Sequence, residues 1–355
     1  MSSSRAQMSG KVQTVLGEID ADSLGITLTH EHLLASTDFR FVEPADAGAR
    51  RLAHMPVCPE NISWLRHNEF GNPHNMRLLD EDEAIEEVMH FKKEGGGTIV
   101  EVSNVGMGRD PQGLARISRV TGLNVVMGSG YYVGQAQAPE VDARSEQEMA
   151  EEIVADIEVG VGGTGIRAGI IGEIGASWPL SDREGKSLRA AVRAQQQTGA
   201  AIVISQVSGT ASSLLEAIRT LDSAGADVSR VVASHIDRRV LSLSERLELA
   251  RTGCYLGYDL FGRNDLSASS SSASTTLCDR ERIEQIIELI EAGHLARVLM
   301  AHDHCLKTQL LRYGGDGYAH ILRTVVPQMV ARGLRREQID VILVENPKRL
   351  LQMPA

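Results

Sequence analysis

No run of about 18 uncharged apolar residues occurs in the chain, so nothing in it reads as a membrane-spanning helix. Residues 1–10 are polar and lack the apolar core of a secretion signal, and a short mobile tail is expected there. Basic clusters are missing as well. With a net charge of −11, the chain is a poor match for nucleic acid or an anionic membrane surface as a partner. Cysteine is scarce: Cys58, Cys254, Cys278 and Cys305 lie far apart and form no Cys-x-x-Cys pair. Free thiols of a reducing cytoplasm are expected rather than a disulfide frame. There is also no internal repeat and no sign of a second domain, so residues 11–355 are expected to form one unit.

What is present is enough apolar sequence for a large core: 355 residues, 42% hydrophobic and 23% charged. Eight short runs rich in Val and Ile read as strands, at 26–29, 98–103, 124–128, 169–173, 201–205, 231–235, 255–258 and 298–303. Their continuous apolar character suits parallel strands covered on both faces. Amphipathic helical patterns fill the gaps, for example at 81–94, 145–158 and 280–292. Strand and helix alternating eight times predict an α/β fold, a (β/α)8 TIM barrel. The stretch from Val12 to Gly25 is expected to form a small hairpin on the barrel floor.

Two loops after strands are long. Residues 33–79 contain proline, Trp64, His67 and His74, and residues 263–278 are serine-rich. Loops of this kind lie at the C-terminal face of a barrel, where active sites are built. The serine run reads as a mobile excursion or as a lid ordered by substrate.

The strand ends carry the chemistry. Thr29-His30-Glu31-His32 closes the first run, and residues i and i+2 of a strand point to one side, so His30 and His32 can converge on one divalent metal. The fourth run ends in Glu173, the sixth in His235 and the eighth in His302-Asp303-His304. Imidazoles and carboxylates gathered in one mouth are better explained as a metal site than as isolated capping groups, because charge buried there without partners is costly. Tyr131, Tyr132 and Trp178 follow the third and fourth runs and read as substrate-pocket or ordinary loop aromatics.

These residues, with the blocks THEH at 29–32, GIIGEIGASWPL at 169–180, SHID at 234–237, YDLFG at 258–262 and AHDHCLKTQLLRYGGDGYAHIL at 301–322, carry a resemblance. The chain resembles the phosphotriesterase family of metal-dependent hydrolases, in the amidohydrolase superfamily, and within it the phosphotriesterase-related or resiniferatoxin-binding branch. The resemblance implies one or two zinc ions or similar divalent metals. His30, His32 and Asp303 look like ligands of the more buried metal, Glu173 like the bridge between metals, and His235 like a ligand of the outer one. Where the family has a second outer-metal histidine, this chain has none; one alignment places Ser205 there and another Gln206. The implied mechanism is attack by metal-bound hydroxide on a carbonyl or phosphoryl centre, with Asp303 taking the proton. His304 is expected to pack rather than react.

Members of the family hydrolyse organophosphate triesters, lactones, sugar-lactone phosphates and N-acyl amides, and this branch leans towards carbonyl substrates. The expectation is therefore an ester, lactone or N-acyl amide hydrolase acting on a small molecule. A phosphoric triester hydrolase is one alternative, and a degenerate ligand-binding protein is another. Homodimers are common in the group.

Overall fold

The computed structural model describes residues 10–206, 210–238, 241–263 and 277–354. The tail expected at 1–10 lies outside these residues except for Gly10, and so does most of the serine-rich stretch at 263–278.

Eight parallel strands follow one another around a barrel: β1 (Ile26–Glu31), β2 (Gly96–Glu101), β3 (Asn124–Ser129), β4 (Ile170–Ala176), β5 (Ile202–Gln206), β6 (Val231–Ser234), β7 (Tyr255–Tyr258) and β8 (Val298–Met300). Each pairs with the next in parallel register. The ring closes where the Asp303 amide donates to His30 O at 3.2 Å and the Thr29 hydroxyl to Met300 O at 3.3 Å. The (β/α)8 expectation therefore holds.

Three strands end earlier than expected: β2 at Glu101 rather than Ser103, β6 before His235 and β8 before His302. His235 and Asp303 adopt left-handed backbone, with φ of 57° and 53°, which cannot continue a strand and is rare for residues bearing a Cβ. Strain of this kind persists only where surrounding contacts hold it, and both residues stand in the mouth.

The helices outside the strands begin on local signals. Ser145, Ser181 and Ser242 each exchange hydrogen bonds with a glutamate three residues on, the reciprocal capping arrangement that satisfies two free amides. Asp80 and Asp110 cap the helices Glu81–Lys93 and Pro111–Thr121. The apolar faces of these helices bury the outer side of the barrel, in a core that includes Val88, Leu114, Ile153, Leu188 and Ile286. Inside the barrel a second cluster (Val100, Val126, Ile170, Val203, Val232 and Leu299) fills the lumen, and Val12 joins it from below. The expected floor hairpin is Lys11–Thr14 paired with Gly17–Asp20. A solid, packed lumen with a plugged floor leaves the C-terminal mouth as the place for chemistry.

Residues 33–79 are more ordered than an irregular loop. Ala35–Ser36 pairs antiparallel with Arg77–Leu78, and helices Ala47–Ala53 and Pro59–Leu65 lie between. Buried asparagine amides hold the segment: Asn72 donates to Leu52 O and Met55 O at 3.0 and 2.8 Å, and Asn61 to Pro56 O at 3.1 Å. The Asn72 bonds join residues 20 and 17 apart in sequence, so no local pattern announces them.

β3 and β4 approach closely at Gly128, where an added Cβ would meet the Gly172 carbonyl oxygen at 2.1 Å. Backbone cannot step aside as a side chain can. Gly128→Ala should lose about 1–3 kcal/mol of stability in a denaturant melt, and an unchanged midpoint would contradict this packing.

Candidate metal centre

Four side chains at the C-terminal mouth turn towards one another. His32 Nε2 lies 3.1 Å from Asp303 Oδ1 and 3.3 Å from Glu173 Oε1, and His30 Nε2 lies 3.6 and 3.7 Å from Glu173 Oε2 and Asp303 Oδ1. His30, His32 and Asp303 form one group compact enough for a single ion. All four residues are buried, yet His30 Nε2 and Glu173 Oε2 have no hydrogen-bond partner among the described residues. Buried polar atoms are rarely left this way. Two imidazole nitrogens and two carboxylates, with orphaned lone pairs facing inwards, match the donor set of zinc and similar ions. A divalent ion fits.

The rings are fixed from behind, as ligand imidazoles are. His30 Nδ1 meets the Ser234 hydroxyl at 3.2 Å. His32 Nδ1 meets the Ser103 hydroxyl at 2.9 Å, and Ser103 donates in turn to Glu101 at 2.5 Å. The peptide of Glu173 is pinned by the Asn104 amide, which donates to its carbonyl at 2.6 Å.

Glu31, between the two histidines, braces the far side of the mouth. Its carboxylate accepts the backbone amides of His302 and His304 at 2.8 and 3.1 Å, so Asp303 is held between two anchored neighbours. His302 Nε2 accepts the Ile321 amide at 3.1 Å, which leaves Nδ1 as the protonated nitrogen that donates to Glu31 at 2.7 Å. Burial pushes His302 down to about 3, in keeping with this neutral ring. Burial also raises Glu31 to about 7. Asp303 is held well below the usual carboxylate range despite its burial, by Arg263 and the imidazoles around it. Glu173 is likewise lowered against its burial, by His235, His30 and His32.

His235 stands at the edge of this group, its Nε2 3.9 Å from Glu173 Oε2. Its partner was not legible in the sequence: Asp259, one residue beyond β7, accepts both Nδ1 and the backbone amide of His235, at 2.7 and 2.8 Å. A carboxylate following a strand end was the available signal. Asp237 then holds this corner, accepting the Leu260 amide at 3.1 Å and Arg282 Nε at 2.7 Å.

The two candidates on β5 separate cleanly. Ser205 Oγ lies 3.0 Å from His235 Nε2, whereas the Gln206 amide donates to Ser213 at 2.8 Å on the helix Ala211–Ser223. Successive residues of a strand face opposite ways, so only one could enter the mouth.

The three aromatics also part. Tyr132 is buried close enough to Glu173 and Asp303 for their charge to raise its phenol, after burial itself. The Tyr131 hydroxyl is engaged with Glu152 at 2.8 Å, on the outer helix Glu146–Glu158. Trp178 is 41% exposed. His304 is buried and stacked on His302, with ring centroids 4.9 Å apart, and neither of its ring nitrogens has a hydrogen-bond partner among the described residues.

Positive charge lines the rim. Arg263 and Arg238 lie 3.1 and 3.7 Å from Asp303 Oδ2. Arg263 also lines a cavity of about 340 Å³ with Arg66, Glu69 and His304.

The phosphotriesterase family profile matches residues 10–351. The chain is 41% identical to the N-acetyltaurine hydrolase of Homo sapiens over 347 residues, 98% of this chain and 99% of the relative. Among solved structures, a resiniferatoxin-binding protein from Rhodobacter sphaeroides superposes with a TM-score of 0.93 at 35% identity, covering 97% of this chain and 95% of that one. The phosphotriesterase homology protein from Escherichia coli, solved with phosphate in its active site, superposes with a TM-score of 0.77 at 31% identity, covering 93% and 100%.

Two outcomes follow from these contacts. Arg282 is fully buried against Asp237 and Asp279, and removing one partner of a buried pair strands the other. Arg282→Leu should cost about 3–5 kcal/mol by denaturant melt; a change below 1 kcal/mol would contradict this reading. The second concerns pH. In the ion-free protein His32 is pushed up to about 9: burial opposes its charge, but the Asp303 hydrogen bond and Glu173 outweigh burial. Its ordinary value is 6.5, so the bound proton stabilises the ion-free fold fully below 6.5, and that contribution is lost as pH rises through about 9. An entering ion must displace this proton. Chelator-buffered zinc titrations should show affinity rising roughly tenfold per pH unit between those limits, whereas a flat profile would contradict it.

Proposed function

The chain belongs to the phosphotriesterase family and is a hydrolase of that family; we propose that it is a zinc-dependent amidohydrolase that cleaves small N-acyl amides whose amine portion carries an acidic group. The observation that carries the metal-dependent part is the inward-facing set His30, His32, Glu173 and Asp303 with its orphaned nitrogen and oxygen. Full-length similarity to a relative named for N-acetyltaurine, an acyl amide of an amino sulfonate, supports the substrate class. The cationic rim supports it as well.

A divalent ion held by these four side chains would lower the pKa of a bound water and polarise a substrate carbonyl oxygen. The protein supplies the remaining roles. Asp303, kept ionised beside Arg263, accepts the proton of the attacking water and passes it to the departing amine nitrogen. Tyr132, buried beside the Glu173 and Asp303 carboxylates with its phenol kept protonated, would serve as a donor to the substrate. Arg238 and Arg263 draw the acidic end of the substrate to the rim, a charge-assisted contact that a neutral ester or phosphotriester would not make.

No helix among the described residues is long and apolar enough to cross a membrane, and all four cysteines are free. Free thiols support a reducing, cytoplasmic setting.

A hydrolysis panel of N-acetyltaurine, N-acetyl amino acids, a γ-lactone and an aryl phosphotriester tests the reading. The acidic N-acyl amides should give the highest kcat/KM, and Asp303→Asn should reduce it by about 10²–10⁴-fold. A lactone or phosphotriester turned over faster than every acidic amide would contradict the substrate assignment.

A further inference from the structure

We propose that this centre takes one tightly held divalent ion, because Ser205 leaves the outer position short of donors; the inference rests on the metal-dependent reading above. The parallel register sets Ser205 level with Ser234 on one side and Gly175 on the other, directly beside the exit of β6. There its hydroxyl lies 3.0 Å from His235 Nε2.

His235 has one nitrogen to offer an ion. Nδ1 is committed to Asp259 at 2.7 Å, and the same carboxylate oxygen is held in place by the backbone amide of His235 at 2.8 Å, so turning the ring over would cost the Nδ1 bond. The nitrogen left, Nε2, already faces Ser205. A second ion beside the first would find His235 Nε2 and Glu173 Oε2, which lie 3.9 Å apart. The next side chain is a neutral hydroxyl, a poor ligand for zinc, where an imidazole would be a good one. Catalytic zinc sites use about three protein ligands, and two of which one is shared fall short of that.

Neither remaining donor repairs the deficit. Gln206 sits on the opposite face of β5 and bonds Ser213. His30, His235 and Asp259 do converge, but the short contacts there are made by the Nδ1 atoms, at 3.6 Å from His30 and 2.7 Å from His235. An ion in that place would have to displace the hydrogen bond that orients His235 and the Ser234 contact that orients His30. What stands in the outer position is instead a hydrogen-bonded chain across three neighbouring strands, Asp259 to His235 to Ser205. In this account His235 is a positioning residue beside Glu173 and not a ligand.

Metal content separates these cases without reference to turnover. Full-length protein is purified without chelator, dialysed against zinc and then against zinc-free buffer, and analysed by elemental analysis as wild type, His235→Ala and Ser205→His. About one equivalent is expected in the wild type and in His235→Ala, rising towards two in Ser205→His, where the missing imidazole is restored. Two equivalents in the wild type, falling to one in His235→Ala, would overturn the inference while leaving the metal-dependent reading intact. No metal in any form would overturn that reading itself. Should Ser205→His fail to fold, the wild type and His235→Ala decide the matter alone.

Discussion

Glu173 and Asp303 are 1% and 5% exposed, and everything at the mouth of this barrel follows from having to keep two such carboxylates charged out of water. An isolated buried carboxylate costs several kcal/mol, and the fold offsets that cost by surrounding the pair with imidazoles and guanidinium groups. Their charge holds both carboxylates ionised in spite of burial. The same arrangement leaves His30 Nε2 and Glu173 Oε2 buried 3.6 Å apart, without hydrogen-bond partners among the described residues. Residues that could have been satisfied by hydrogen bonds are instead held apart by partners behind them.

Those partners explain the shape of the strand ends. Glu31 anchors the amides either side of Asp303, and Asp259 anchors the amide and ring of His235. These are the two residues whose backbone is left-handed. A carboxylate from a neighbouring strand thus stabilises each strained position, and in both cases the strained residue is the one whose side chain enters the mouth. Strain and function coincide here, in keeping with the clustering of strained backbone at functional sites.

The barrel was legible in the sequence because eight apolar, β-branched runs alternate with helical patterns, and burial on both faces makes such runs hard to mistake. His30 and His32 were legible for the same reason: a two-residue spacing on a strand already fixes their common side. Asp259 was not, since a single acidic residue after Tyr258 has no local pattern, and its role depends on the neighbouring strand. On β5 the sequence left Ser205 and Gln206 open, because a shift of one residue exchanges the two faces of a strand. The parallel register resolved it. The order within 33–79 was hidden because it rests on asparagine side chains reaching backbone carbonyls up to 20 residues away.

In the proposed reading, Ser205 limits how many ions the mouth can hold, and the arginines of the rim favour an acidic substrate. Both depend on an ion occupying the inner group. Diffraction from zinc-loaded crystals, measured on either side of the zinc absorption edge, tests this most directly. The account predicts one strong anomalous peak at about 2.0–2.2 Å from His30 Nε2, His32 Nε2 and the carboxylates of Glu173 and Asp303. A barrel mouth without a peak, or a peak bound by His235 and Asp259 in place of His32, would contradict it.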